Sequence, residues 1–238
     1  MMQWLKTDFH THTSDDPLDD IDYSAEELID NAAVKGVQVL SISCHTALVF
    51  NEYLRKYAEQ KGILLIPAFE ANFEGTRHVL ILNPSPEHLN ATTFEEFRAI
   101  GKKNALLIAP HPFFPGGTSL KEFLEPNIDL FDAIEYCNFY RKHFNIWNKK
   151  AIKISEKYQL PLLGNSDTHV LPYVDSTHTS IHANANIPSI FDAIRSNRTQ
   201  LCTTPRPVPS ILSMIKFAIL QELRDRKKIR INNHEVHV

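Results

Sequence analysis

Cysteine is scarce in this 238-residue chain, which has only Cys44, Cys137 and Cys202. An odd number at wide spacing makes neither a disulfide framework nor a zinc ribbon, and it fits a reducing, cytoplasmic setting. Long apolar runs are missing too. No stretch approaches the roughly 18 uninterrupted apolar residues of a spanning helix, so no membrane partner is expected. The segment Met1 to Asp8 is too short and too polar to read as a signal peptide. Neither sign of charge dominates, because the formal net charge is −3. That balance argues against a broad basic groove for duplex nucleic acid, though it leaves room for a local patch. Internal repeats, low-complexity tracts and linkers are not found. A hydrophobic content of 43% over this length suits one barrel-sized domain, residues 1–238.

The chain alternates short apolar runs with amphipathic stretches. Trp4–Phe9, Val37–Ser43, Ile63–Ile66, Val79–Leu82, Ala105–Ala109, Phe131–Tyr136, Leu160–Gly164 and Leu201–Thr203 read as strands. Helices are expected over about 24–36, 50–61, 93–103, 144–158 and 188–196. Ser24-Ala25-Glu26-Glu27 and Thr93-Phe94-Glu95-Glu96 have the form of capping boxes. A last amphipathic helix from Ser210 to about Arg226 reads as barrel cover, with a basic segment and polar tail behind it. Strands alternating with helices imply βα units and a mostly parallel sheet, and seven or eight such units in one domain favour a closed or nearly closed barrel.

Histidine is abundant, with twelve residues against only seven glycines. His10 and His12 follow the first strand, His45 the second and Glu70 the third. His111 follows the strand ending at Ala109, and Asp167 with His169 follows Gly164. In a βα barrel those strand ends share one face. His78, at the start of its strand, departs from the rule. Two histidines in Asp8-Phe9-His10-Thr11-His12 point to one side of an extended segment and suit a first-row metal. Glu70 offers two oxygens, enough to bridge two metals or to cap a helix. Asn165-Ser166-Asp167-Thr168-His169 offers mixed oxygen and nitrogen ligands.

In this order, His10-Thr11-His12, Ser43-Cys44-His45, Glu70 with His78, Pro110-His111-Pro112 and Asp167-Thr168-His169 resemble the motifs of the PHP family, named for polymerases and histidinol phosphatases. The resemblance spans nearly the whole chain. It implies an α/β fold, a distorted (β/α)7 TIM-like barrel, carrying two or three divalent ions of zinc, manganese or iron. By that likeness His10, His12, Glu70 and Asp167 hold one metal, and Glu70 with His78 and His111 a second. A residue late in the first motif, with His45 and His169, holds a third. The first motif is shorter here than in many members, so Asp15 is the expected third-site ligand and Asp16 the alternative. Cys44 stands where the family usually has aspartate and is expected as a buried structural thiol. Asp8 is expected to orient His10 or His12 from behind.

The resemblance further implies a metal-dependent hydrolase of phosphoric esters, with Glu70, Asp167 and His111 as catalytic residues. Arg141, Arg206 and His178 are the expected contacts to the substrate phosphate, with Arg77 and His143 weaker candidates. A phosphorylated small molecule is the expected substrate. A nuclease acting on short nucleic acid and a non-catalytic metal-stabilised module are the alternatives.

Overall fold

The structure, a computed structural model, describes residues 1–206. The expected last helix from Ser210 and the tail behind it lie outside the described residues. The strands are β1 Gln3–Asp8, β2 Val39–Leu40, β3 Leu64–Leu65, β4 Ala68–Phe73, β5 Arg77–Leu82, β6 Leu106–Ala109, β7 Ala133–Cys137, β8 Leu162–Asn165, β9 Thr177–Ala183 and β10 Thr199–Thr203. The helices are α1 Ala25–Val34, α2 Glu52–Gln60, α3 Phe94–Ile100, α4 Ile146–Tyr158 and α5 Ile187–Arg195. Both expected capping boxes form. Ser24 accepts from the backbone N–H of Glu27 while Glu27 accepts from that of Ser24, and Thr93 pairs with Glu96 in the same way.

The fold is mixed α/β, but the strands form two sheets, ordered β10-β9-β1-β2-β3 and β4-β5-β6-β7-β8. Their ladders do not run on into one closed barrel. The cause lies in antiparallel pairing: β4 and β5 form a hairpin, β5 also runs against β6, and β9 runs against β1 and β10. β9 falls in a stretch whose polar composition reads as irregular. Its alternation of Thr177, Thr179, Ile181 and Ala183 inward with half-buried residues between is the period-2 signal of a strand.

Inward-facing residues such as Leu5, Phe9, Val39, Ala68, Leu80, Ile108, Ala133, Leu163 and Ile181 share one buried cluster between the sheets. Phe69, Phe73, Val79, Ile81 and Leu107 point the other way, into a second core with α3 and α4. Isolated bridges join the two sheets, His45 with Glu70 and Thr11 with Thr168. Between β1 and β8 side chains replace ladder bonds. Asn165 Oδ1 accepts from Phe9 N–H (3.0 Å) and Asp8 Oδ1 from Ser166 N–H (3.0 Å). The Thr179 hydroxyl accepts from Gly164 N–H (2.8 Å) and donates to Gly164 C=O (3.0 Å). A side chain at Gly164 would press on Leu201 and lie 2.9 Å from the His178 carbonyl, so only glycine lets the strands approach this closely.

Candidate metal centre

Strand alternation puts two carboxylates on the inner face. Glu70 lies two residues beyond Ala68 on β4, and Glu135 two beyond Ala133 on β7, so each follows an inward apolar residue onto the same side. Glu70 therefore sits within a strand and not past the end of one. The exception at His78 also resolves: β5 runs antiparallel, pairing Asn72 with His78, so its start lies at the end where β4 finishes. His111, between two prolines, and Asp167 adopt left-handed backbone conformations, with φ of 28° and 43°. Such geometry is costly for non-glycine residues and is typical of places where packing dictates side-chain direction.

Glu70 is the hub. Its Oε1 lies 2.8 Å from His78 Nδ1 and 3.1 Å from His111 Nε2. Its Oε2 lies 3.0 Å from His45 Nε2, 3.2 Å from His10 Nε2 and 3.7 Å from His12 Nε2. Asp167 Oδ1 completes the set at 3.4 Å from His10 Nε2 and 3.5 Å from His12 Nε2. Asp16 Oδ2 lies 2.9 Å from Nδ1 of both His12 and His45 and accepts from the His45 backbone N–H at 2.8 Å. His169 Nε2 meets Asp19 Oδ2 at 2.9 Å. Among these, His10, His12 and Asp167 form a set of ligating atoms close enough for one ion, as do His10, Glu70 and His111, then His45, Glu70 and His78, and finally His12, Asp16 and His45.

Burial works against ionising every one of these groups, and the opposed charges decide the result. Despite it, the imidazoles facing Glu70 and the imidazoles around Asp167 hold both carboxyls well below the usual range. His10 is driven well above an ordinary histidine by Asp167, Glu70 and Glu135, and His45 is pushed up to about 10 by Glu70 and Asp16. His78 goes the other way, to about 4, because burial together with His45 and His111 outweighs Glu70.

The donor set fits divalent metal. Nε2 of His10 and His12 and Nδ1 of His78 are buried without a hydrogen-bond partner among the described residues, although carboxylate oxygens lie close by. Buried polar nitrogens left so are expensive, and imidazole nitrogens converging with carboxylates are what zinc, manganese or iron accept. The rings are fixed from behind. Glu135 Oε2 lies 2.8 Å from His10 Nδ1, an orienting role that the sequence reading missed and assigned to Asp8. Asp8 instead accepts from backbone N–H groups at the β1–β8 seam, and burial raises its carboxyl to about 7.

Other expectations are corrected by placement. Asp15 is exposed and bonded to Thr13, and it lines a surface cleft of ≈ 360 Å³ with Glu26, Leu48, Phe50 and Tyr53. The short turn after His12 brings Asp16, the alternative, to the histidines. Asp19, unforeseen, reaches His169. His178 is on the half-buried face of β9, paired with Asp175 at 2.7 Å, and is not brought to the cluster. Arg77 spends its guanidinium on loop carbonyls and Glu122, and His143 is exposed. Arg206 lies between the rings of Phe139 (4.0 Å) and Tyr173 (4.2 Å), and Asp167 is among the groups acting on its charge. Arg141 is half-buried, in the loop after β7. Cys44 packs with Leu40 and Ile42 as a buried thiol raised to about 11 by burial. No helix among the described residues is long and apolar enough to cross a membrane.

Fold and site together define an α/β protein whose sheets end on a buried histidine–carboxylate cluster. A family model described as PHP-associated matches residues 145–199. PsfC from Pseudomonas syringae superposes with a TM-score of 0.64 at 19% identity, over 94% of this chain and 99% of that one. A lesion-specific endonuclease from Pyrococcus furiosus gives 0.61 at 15% identity, over 84% of this chain and 58% of that one. A candidate metal-dependent phosphoesterase from Bifidobacterium adolescentis gives 0.52 at 15% identity, over 69% and 87%. A search of curated protein sequences gives no match. The chain is thus similar to PHP-associated sequences over residues 145–199 and to these structures in fold.

Proposed function

We propose that the chain is a metal-dependent hydrolase of phosphoric esters. One observation carries the reading: a single buried carboxylate, Glu70, turns one oxygen to His78 and His111 and the other to His10 and His45. A carboxylate shared in this way would serve two ions. His10, His12, Asp167 and Glu70 would hold one, and Glu70, His78 and His111 a second, with His45 turned to the same carboxylate. Asp16 and Asp19 beside His45 and His169 are the groups available to a third. Bound zinc, manganese or iron supplies Lewis acidity, making water a ready source of hydroxide and neutralising charge on phosphoryl oxygens.

The chain's own residues do the remaining work. Glu70, Asp167 and His111 frame the reacting phosphoryl group, the last two on backbone held in unusual conformations. Arg206, with Nε unpartnered among the described residues, would meet a phosphoryl oxygen from outside the ligand set. We read the two sheets as a distorted (β/α)7 TIM-like barrel, an assignment supported by the bridges at both seams.

Metal content of the purified protein and hydrolysis of p-nitrophenyl phosphate test the proposal. At least one ion per chain and turnover lost in His10→Ala are expected. Less than one ion under every loading condition, or no turnover of any phosphoester by loaded protein, would sink it. Between a small phosphorylated molecule and nucleic acid as substrate, the distribution of cations favours the second.

A further inference from the structure

Most lysines and arginines of the described residues are already engaged. Some are paired with carboxylates, such as Lys61 with Asp30, Arg98 with Asp129 and Arg195 with Asp132. Lys35 and Lys121 give their ammonium groups to backbone carbonyls. Among the described residues, the cations left without such partners are Arg141, Lys142, Lys149, Lys150, Lys153 and Arg206. All but Arg206 lie in one stretch, the loop after β7 and α4 as far as Lys153, and no aspartate or glutamate occurs from Tyr136 to Ser155. The first turn of α4 likewise holds no acidic residue. In a chain of net charge −3 this stretch is locally positive.

The same stretch carries aromatic rings. Trp147 packs 4.7 Å from Phe114 and 5.0 Å from Phe144, and Phe114 packs 5.8 Å from Phe139, on which Arg206 stacks. Phe144 is 41% exposed. This wall adjoins the cluster at two points. Phe114 N–H closes a turn onto the His111 carbonyl (3.1 Å), and Asn138 donates to the carbonyl of Ser166, next to Asp167.

A lone phosphate needs one or two cations beside the metals. A run of five such cations between Arg141 and Lys153, beside aromatic rings of which Phe144 is exposed, suits a polyanion with flat bases. We propose that the loop after β7 and the first half of α4 form a binding surface for single-stranded nucleic acid. The strand's phosphates run over Arg141, Lys149 and Lys150, a base stacks at Phe144 and Trp147, and one phosphodiester is delivered to the cluster. Only that last step rests on the phosphoester reading; binding does not.

The test is binding of fluorescein-labelled oligothymidylate, twelve nucleotides long, to metal-depleted full-length protein at several salt concentrations. Single-strand binding should weaken with salt by about 0.7 logarithmic units per phosphate contact. Lys149→Glu/Lys150→Glu should weaken it at least about 10-fold at low salt and flatten the salt slope. Lys103→Glu, which removes a lysine paired with Glu87, should bind as wild type. In a Trp4→Phe background, Trp147 fluorescence should be quenched by the oligonucleotide. Circular dichroism checks that each variant folds. Equal binding by the double variant, no quenching, or binding to anionic vesicles in preference to the oligonucleotide overturns the surface. Lost oligonucleotide binding with p-nitrophenyl phosphate turnover intact leaves the phosphoesterase standing. Binding without turnover of any phosphoester does the reverse.

Discussion

Glu135 Oε2 lies 2.8 Å from Nδ1 of His10, with both side chains fully buried. The contact makes Nδ1 the hydrogen-bonded nitrogen and leaves Nε2 facing Glu70 and Asp167. Partners behind ligating histidines typically contribute 10- to 100-fold in metal affinity. Glu135→Gln is therefore expected to lose about 10-fold or more in affinity, read by competition with a coloured chelator, while the far-ultraviolet circular dichroism stays that of wild type. Unchanged affinity would mean that His10 is held by packing alone.

Asp15 and Asp16 are neighbours with opposite expected behaviour. Asp16→Ala removes the carboxylate facing His12 and His45 and should lower bound metal and weaken affinity by at least about 10-fold. Asp15→Ala removes an exposed group and should leave metal content as in wild type. Elemental analysis of the two variants side by side decides between them.

Metal uptake should expel protons. In the metal-free chain His45, raised to about 10, is expected to carry a proton at pH 7, and His10 is shifted in the same direction by Asp167, Glu70 and Glu135. A metal needs neutral imidazole, so apparent affinity should rise with pH by up to about 10-fold per unit for each proton displaced. Calorimetric heats should then depend on the ionisation enthalpy of the buffer; buffer-independent heats would contradict it. The same shift bears on stability without metal. The contribution of protonated His45 is complete below about 6.5 and is lost as pH rises towards about 10. Melting temperature of the metal-free protein should fall over that window.

Gly164→Ala tests the seam between the sheets. The added methyl would lie 2.9 Å from the His178 carbonyl and press on Leu201. Overpacking of this kind costs about 1–3 kcal/mol, which thermal denaturation would register as a lower melting temperature. A variant as stable as wild type would show that β9 and β10 can move away freely.

Much of this arrangement was readable from residue order. Ser24 and Thr93 announced their helices because a cap is a contact across three residues. The histidine pairs and Asp167 marked a candidate ligand set because ligating chemistry is confined to few residue types. Three matters lay beyond that reach. Glu135 looks like any carboxylate in a strand until its alternation with Ala133 is set against a particular partner, His10, from another sheet. Asp16 and Asp15 are alike in sequence, and only the tight turn after His12 turns one inward and the other to solvent. The seam between β1 and β8 depends on Asp8 and Asn165 bonding backbone from segments far apart along the chain. Local composition decided which elements form and which chemistry is present, because both depend on neighbours along the chain. Which carboxylate serves which histidine, and how far the two sheets close, was decided only by packing between segments remote in sequence.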